Sequence, residues 1–241
     1  MMNYLNKKII IIDNSDLSYT GDDINGTILR GTEASLILLS EQFVRMGIDV
    51  DYCNTINSKK NINGVNYFNK NNIDKNIIYD FAIAISDANE FNRVSSIKKA
   101  VFSNSNQPIE KFIRKKQLIP FLKYKPILIT LCNYQFKKRS FFTSFYGKKT
   151  IPITVDPMFL DIDVDDNFLP KRKVVYNIRS NRNLDQLIKI WCEKIFPTNN
   201  EFELYITPEI INYNDYHLNN HIFLRTIVSR EEMIDELKNY R

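Results

Sequence analysis

The chain has few of the residues that form the commonest cofactor and metal sites. Only six of its 241 residues are glycine, and only two are histidine. No G-x-G-x-x-G follows the first apolar run, which disfavours a dinucleotide-dependent dehydrogenase. Cys53, Cys132 and Cys192 are far apart and odd in number, with no C-x-x-C. This usage predicts reduced thiols in a cytoplasmic protein.

Long hydrophobic runs are also missing. The first one, IIII before Asp13, is too short for the core of a signal peptide and far too short to span a bilayer. No later run approaches a spanning length. We therefore expect a cytoplasmic protein, at most peripheral to a membrane.

The charge is only mildly unbalanced. The net charge of +5 favours anionic partners such as phosphates, acidic lipid or nucleic acid, without choosing among them. Residues 112–125 (FIRKKQLIPFLKYK) and 134–149 mix aromatic and basic residues. Such mixtures occur on membrane-contacting or nucleic-acid-binding surfaces, and also on buried helix faces edged with solvated lysines. Buried helix faces are the first interpretation, peripheral contact with an anionic membrane is the secondary hypothesis, and no nucleic-acid binding is expected.

Short β-branched runs alternate with helical patterns over the first half of the chain. Strands are predicted at residues 7–13, 48–54, 64–69, 79–86, 98–104 and 126–133. Helices are predicted at residues 32–46, 87–97 and 108–125, the first ended by Gly47 and the last interrupted or ended at Pro120. This alternation predicts the α/β class with parallel sheets.

The character changes at residues 151–173, which are acidic, contain three prolines and show no helical period. We expect an interdomain linker there. Beyond it, strands are predicted at residues 173–178, 202–207 and 221–228, with a helix at 183–196. A last helix begins with a capping box, Ser229 followed by Glu232. The predicted organisation is a domain over residues 1–155, a linker over 156–172 and a second unit over 173–241.

Two weak metal patterns are rejected. His217 and His221 have the spacing of zinc ligands on a helix, but no H-E-x-x-H surrounds them and their setting favours a loop. The acidic run at residues 161–172 lacks the glycine and glutamate of a calcium loop, since Asp166 and Arg172 occupy those places. No metal site is predicted.

Several segments, in order, resemble one family. RGTEASLILLSEQFVRMGIDVDYC (residues 30–53) is similar to the first loop and helix of GT-B glycosyltransferases of the family 4, or group 1, type. KKTIPITVDPMF (148–159) resembles the segment before their linker, and VVYNIRSNRNLDQLIKIW (174–191) the start of their nucleotide-sugar domain. The resemblance implies two Rossmann-like domains, the second incomplete, because the family's paired-glutamate segment does not occur before Arg241.

The resemblance also implies site residues. Gly31 and Thr32 precede the first helix, where backbone N–H groups can stabilise the donor diphosphate; alternatively, Gly31 only lets the loop turn. Arg179 and Arg182 match basic residues that bind the diphosphate. Asn104 stands close to where relatives have a histidine, and it can hydrogen-bond the substrate but cannot act as a base.

The expected function is transfer of a sugar from a nucleoside diphosphate sugar to an acceptor hydroxyl, in cell-envelope or surface polysaccharide synthesis. The expected partners are the donor and a sugar or lipid-linked acceptor, at the inner face of the membrane. No cofactor is expected. The alternative is a non-catalytic module that keeps the fold and binds a nucleotide or a partner, which the missing histidine and the early stop favour.

Overall fold

The computed structural model describes residues 6–26, 29, 31–103, 108–138, 141, 143, 148–150, 172–177, 183–207, 220–224 and 232. The chain divides into two compact units, Met1–Ile24 with Leu29–Val155, and Asn25–Ile28 with Asp156–Arg241. Within the described part, no helix has both the length and the apolar character needed to cross a bilayer.

The first unit is built on an eight-stranded sheet. Its strands, in chain order, are β1 Lys8–Ile12, β2 Asp49–Asn54, β3 Lys60–Ile62, β4 Val65–Asn69, β5 Ile78–Ile85, β6 Ser95–Ser103, β7 Ile127–Thr130 and β8 Lys148–Thr150. In space the order is β3-β4-β2-β1-β5-β6-β7-β8, and every pairing is parallel except that of β3 with β4.

The seven parallel strands follow the Rossmann order. Numbered among themselves along the chain, they lie in the order 3-2-1-4-5-6-7, which is the doubly wound arrangement extended by one strand. In register, Ile9 of β1 lies opposite Val50 of β2 on one side and Phe81 of β5 on the other. The predicted α/β class and Rossmann-like character of this unit are confirmed.

Helices cover both faces of this sheet. They are α1 Asp23–Gly26, α2 Gly31–Arg45, α3 Ile109–Arg114, α4 Leu118–Tyr124 and α5 Asn133–Lys137. On one face, Leu36 and Ile37 of α2 pack with alternate strand residues, among them Ile9, Ile11, Val50, Tyr52, Val65, Tyr67, Ile83 and Ile85. The apolar residues of α2 recur every three or four positions and so lie on one side of the helix, which explains why this segment is helical and packs on the sheet.

The opposite face is covered by α3, α4 and a 3₁₀ turn at Ala88–Arg93. Phe112 of α3 and Phe121 of α4 pack edge to face, with ring centroids 4.7 Å apart. They lie in a cluster with the strand residues that alternate with the first set, among them Ile10, Ile12, Cys53, Ala82, Ala84, Val101 and Leu128.

Two helix predictions are wrong in detail. Residues 87–97 form no α-helix: the 3₁₀ turn, capped by Asp87, ends at Arg93, and β6 already begins at Ser95. In residues 108–125 the break falls between α3 and α4, and Pro120 lies inside the first turn of α4. Proline is tolerated there because N–H groups of a first helical turn have no partner within the helix.

The sequence prediction omitted the antiparallel strand β3. Asn63 and Gly64 join it to β4, and both have positive φ, 51° and 82°. This is the backbone of a two-residue hairpin turn, for which Asn-Gly is the strongest sequence signal. A Cβ at Gly64 would also lie 2.6 Å from Val44 Cγ1, so any larger residue would force the side chain of Val44 to shift.

The second unit contains a three-stranded parallel sheet in the order β11-β10-β9. Its elements are β9 Lys173–Asn177, α6 Leu184–Ile190, a π-helical turn Trp191–Ile195, β10 Glu203–Thr207 and β11 Ile222–Leu224. Leu184, Ile188 and Trp191 pack on Leu204 and Ile206. The predicted linker at residues 156–172 lies outside the described residues, Arg172 excepted.

Candidate functional site

In the first sheet the direction of winding reverses between β1 and β5. Strands added along the chain after β1 lie on one side, and those after β5 lie on the other. In open parallel sheets, ligands bind in the crevice beyond the carboxyl ends of the strands at this point. The residues that follow β1 and β5, beginning with Asp13 and Ser86, therefore form the candidate site.

Three polar side chains meet at this crevice from the ends of different strands. The amide Nδ2 of Asn14, after β1, donates to Asp87 Oδ2, after β5, at 3.2 Å. Lys70 Nζ, after β4, donates to Asn14 Oδ1 at 2.7 Å. We call Asn14, Lys70 and Asp87 the switch-point cluster. It offers an ammonium, an amide and a carboxylate, which are groups that hydrogen-bond hydroxyls.

Glu90 is a buried carboxyl near this cluster, and no sequence pattern predicted a role for it. Its Oε2 lies 2.9 Å from Arg93 Nε. Burial raises the pKa of Glu90, while the positive charges of Arg93 and Lys70 act in the opposite direction. A carboxyl with a raised pKa that interacts electrostatically with Lys70 and Asp87 is a candidate acid or base for this cluster.

The loop after β5 is held in a constrained conformation. Ser86 has a left-handed φ of 58°, which is uncommon for a residue with a side chain. Gln117, buried between α3 and α4, donates from Nε2 to Ser86 O at 3.0 Å and accepts from Ala88 N at 3.3 Å. These two bonds fix the backbone on both sides of Asp87 and so orient its carboxylate.

A buried tyrosine pair fixes the loop after β1. The hydroxyl of Tyr19 bonds Asp13 Oδ2 and the hydroxyl of Tyr52, each at 2.5 Å. Ser15 also donates to Asp13, from its N at 3.0 Å and its Oγ at 2.8 Å. Burial raises the pKa of Tyr19, and the neighbouring Tyr52 and Asp13 raise it further. The phenol therefore stays protonated at neutral pH.

Asn54, at the end of β2, adds a second tie to the same loop. Its Nδ2 donates to the backbone oxygen of Tyr19 at 2.7 Å, and its Oδ1 accepts from Ile56 N at 2.8 Å. The side chain is fully buried, so both bonds satisfy polar groups that water cannot reach. The long polar loop that leads to α2 is thus anchored to the sheet.

The structure places Gly31 and Thr32 at the first two positions of α2. Because α2 connects two parallel strands, its amino end lies at the carboxyl edge of the sheet, the edge of the switch-point cluster. A Cβ at Gly31 would meet nothing within 4 Å. The packing around Gly31 therefore does not require a glycine.

The first turn of α2 also contains Glu33, whose side chain is buried. A carboxylate at this position interacts favourably with the positive end of the helix dipole. It also reduces the potential that an external anion would meet there. Glu33 thus weighs against the strongest form of the predicted phosphate site at Gly31 and Thr32.

The remaining predicted site residues, Asn104, Arg179 and Arg182, lie outside the described residues, as does His217. His221 is described: it precedes β11 and packs on Phe196, with ring centroids 5.1 Å apart. Over the described ranges, no three His, Cys, Asp or Glu side chains are grouped so as to hold a metal ion.

No protein-family model matches the chain. No curated protein matches its sequence significantly either.

Proposed function

We propose that the chain is a GT-B-type glycosyltransferase, which moves a sugar from a nucleoside diphosphate sugar to an acceptor hydroxyl. The observation that carries the proposal is the first sheet, with its Rossmann strand order and the amino end of α2 at the edge of the switch-point crevice. A separate parallel β-α-β unit, β9-α6-β10, supports it as the start of a nucleotide-sugar domain.

Charge on the leaving diphosphate is the main chemical demand of this reaction. The N–H groups of Gly31 and Thr32 would stabilise part of it, as helix amino ends do. Arg179 and Arg182 would pair with phosphate oxygens through their planar guanidinium groups. Asn104 would hydrogen-bond the substrate.

The switch-point cluster supports a hydroxyl-rich acceptor. Asp87 can accept hydrogen bonds from sugar hydroxyls, and the Asn14 amide can both donate and accept them, while Lys70 fixes the orientation of that amide. Glu90, beside them, would take the acceptor proton. Cell-envelope or surface polysaccharide synthesis is the setting that fits such an acceptor.

The alternative function, a non-catalytic module that binds a nucleotide or a partner, is favoured by one observation. Glu33 already places a buried carboxyl group in the first turn of α2. A helix end compensated in this way attracts a diphosphate less strongly.

Calorimetric titration of the full chain with a panel of nucleoside diphosphates tests the proposal. We expect one of them to bind, and Arg179→Ala and Arg182→Ala each to weaken binding at least about ten-fold, because a hydrogen bond to a charged group is lost. Arg45→Ala, at the other end of α2, is the matched control and should bind normally.

Three outcomes separate the alternatives. Failure of every nucleoside diphosphate to bind contradicts the proposal, as does equal weakening in the Arg45 control. Binding without transfer from any labelled nucleotide sugar, across a panel of sugar acceptors, favours the non-catalytic module. Transfer that is lost in Glu90→Gln, while nucleotide affinity is unchanged, supports the assigned proton acceptor.

A further inference from the structure

The surface of α3 and α4 that faces away from the sheet is both apolar and basic. Ile113 and Ile119 are 62% and 76% exposed, and Ile109 and Leu122 are exposed beside them in the same two helices. We call these four residues, with the exposed Arg114, Lys115, Lys116 and Lys123, the α3–α4 outer face. Large aliphatic side chains exposed together mark a surface that contacts a partner.

Packing keeps these isoleucines on the outside. Phe112 and Phe121 occupy the sheet side of the two helices and are buried. Phe112 anchors α3, and Phe121 and Tyr124 anchor α4. Neither short helix can therefore rotate to bury its exposed aliphatic side chains without exposing a ring. The apolar surface is therefore a fixed property of the folded unit.

The net positive charge of the chain is concentrated in the segment that contains α3 and α4. Residues 109–125 contain six basic residues and one acidic residue, which equals the chain's net charge of +5 and leaves the remainder balanced. Burial lowers the pKa of Lys111, and the neighbouring charges of Lys115 and Arg114 lower it further. Positive charges are thus packed closely enough to repel one another.

We propose that the α3–α4 outer face docks onto an anionic lipid membrane. Aliphatic side chains flanked by Lys and Arg on helices lying flat on a surface suit the boundary between headgroups and acyl chains. The basic residues meet lipid phosphates there, and the isoleucines enter the apolar layer. A nucleic acid would use the charges but gain nothing from four exposed aliphatic side chains.

Gln117 connects this surface to the candidate site. It lies between α3 and α4 and hydrogen-bonds Ser86 and Ala88, on either side of Asp87. Asn89 Nδ2 adds a bond to Lys115 O at 3.3 Å. Docking therefore holds the switch-point cluster at a fixed position relative to the lipid surface. The docking itself stands independently of the proposed sugar transfer.

Sedimentation of the full chain with phosphatidylcholine vesicles, with and without phosphatidylglycerol, tests the proposal. We expect binding only to the anionic vesicles, and loss of binding at high salt. Lys115→Gln/Lys123→Gln should bind roughly five-fold more weakly for each charge removed. Ile113→Ser/Ile119→Ser should also lose affinity, and circular dichroism should show an unchanged fold because both side chains are exposed.

The matched control is Ile97→Ser, since Ile97 is 71% exposed but lies in β6, next to Lys98. It should bind vesicles as the unchanged chain does. The proposal is overturned if anionic vesicles bind nothing at low salt, or if the control loses as much affinity as the double isoleucine variant. The proposal is also overturned if the chain associates with itself and the double isoleucine variant abolishes that self-association while its vesicle binding is unchanged. The proposal is overturned as well if an oligonucleotide displaces the chain from vesicles while the double isoleucine variant binds vesicles normally.

Discussion

The two faces of the sheet in the first unit are covered by helices that differ in length and in the side chains they expose. On one face α2 is a single helix of 15 residues, and none of its large apolar side chains is exposed. On the other face α3 and α4 have 6 and 7 residues, and each exposes two large aliphatic side chains. Both layers bury their inner side chains, Ile37 and Phe121 for example, almost completely.

The difference lies in the outer faces alone. The outer face of α2 carries the exposed residues Ser35, Gln42 and Arg45, as expected of the solvent-facing side of an amphipathic helix. The outer face of α3 and α4 carries isoleucines that contribute nothing to the core. The inner side chains of the second layer therefore cover the sheet, and its outer side chains are those that the proposed membrane docking would use.

The largest expected effect separates the two sides of the α3–α4 layer. Phe121→Ala should lower the free energy of unfolding by about 3–5 kcal/mol, because it removes a buried ring. Ile119→Ala, two residues earlier, should change it by less than about 0.5 kcal/mol, because that side chain is exposed. Urea unfolding measures both, and a large loss in Ile119→Ala would show that the outer face also stabilises the fold.

A smaller effect concerns the loop that leads to α2. Tyr19→Phe keeps the ring but leaves Asp13 and Tyr52 short of one buried hydrogen bond. The free energy of unfolding should fall by about 1–3 kcal/mol. Tyr134→Phe, on an exposed tyrosine of α5, is the control and should be neutral. Equal stability of the two variants would mean that the buried hydroxyl does not anchor this loop.

The smallest effect is a pH dependence on the α3–α4 side. Burial raises the pKa of Glu90, so the folded state holds this proton more tightly than the unfolded chain does. The contribution of Glu90 to stability therefore falls as the pH rises from the unfolded pKa of about 4.3 through the raised folded pKa. Glu90→Gln should lack this decline.

Urea unfolding of the unchanged chain and of Glu90→Gln from pH 4 to pH 7 gives the comparison. The variant should gain stability relative to the unchanged chain as the pH rises. Glu110→Gln, on an exposed residue of α3, controls for the loss of a carboxylate. A relative loss of stability in Glu90→Gln at high pH would show that its ion pair with Arg93 outweighs the cost of burial.

The buried parallel strands were predictable because their residues are apolar on both faces. β1 and β5 read as short continuous β-branched and apolar runs, and α2 shows a clear helical period. The strand β3 was not predicted because its residues Lys60 and Asn61 are exposed and polar, although Asn63-Gly64 is a sequence signal for the hairpin turn that follows it. β6 was predicted to begin too late because its first residues, Ser95 and Ser96, are polar.

The candidate site was predictable only where one local pattern defines it. Gly31 and Thr32 mark a helix start, and they stand at one. Asn14 bonds Asp87, 73 residues away, and Lys70, 56 residues away, so no local spacing connects them. The role of Gln117 could not be predicted from the sequence either. A glutamine between two basic segments is expected to face solvent, and only the folded structure shows its hydrogen bond to Ser86.

The hairpin at Asn63-Gly64 also limits how far the first sheet can grow. Without it, β4 would present a row of unpaired backbone groups, a template on which another chain could add a strand. The added strand β3 is only three residues long and carries Lys60 at its outer edge. A short, charged edge strand of this kind disfavours edge-to-edge aggregation. Gly64, which completes the turn, therefore helps to keep folded chains from pairing with one another through this edge.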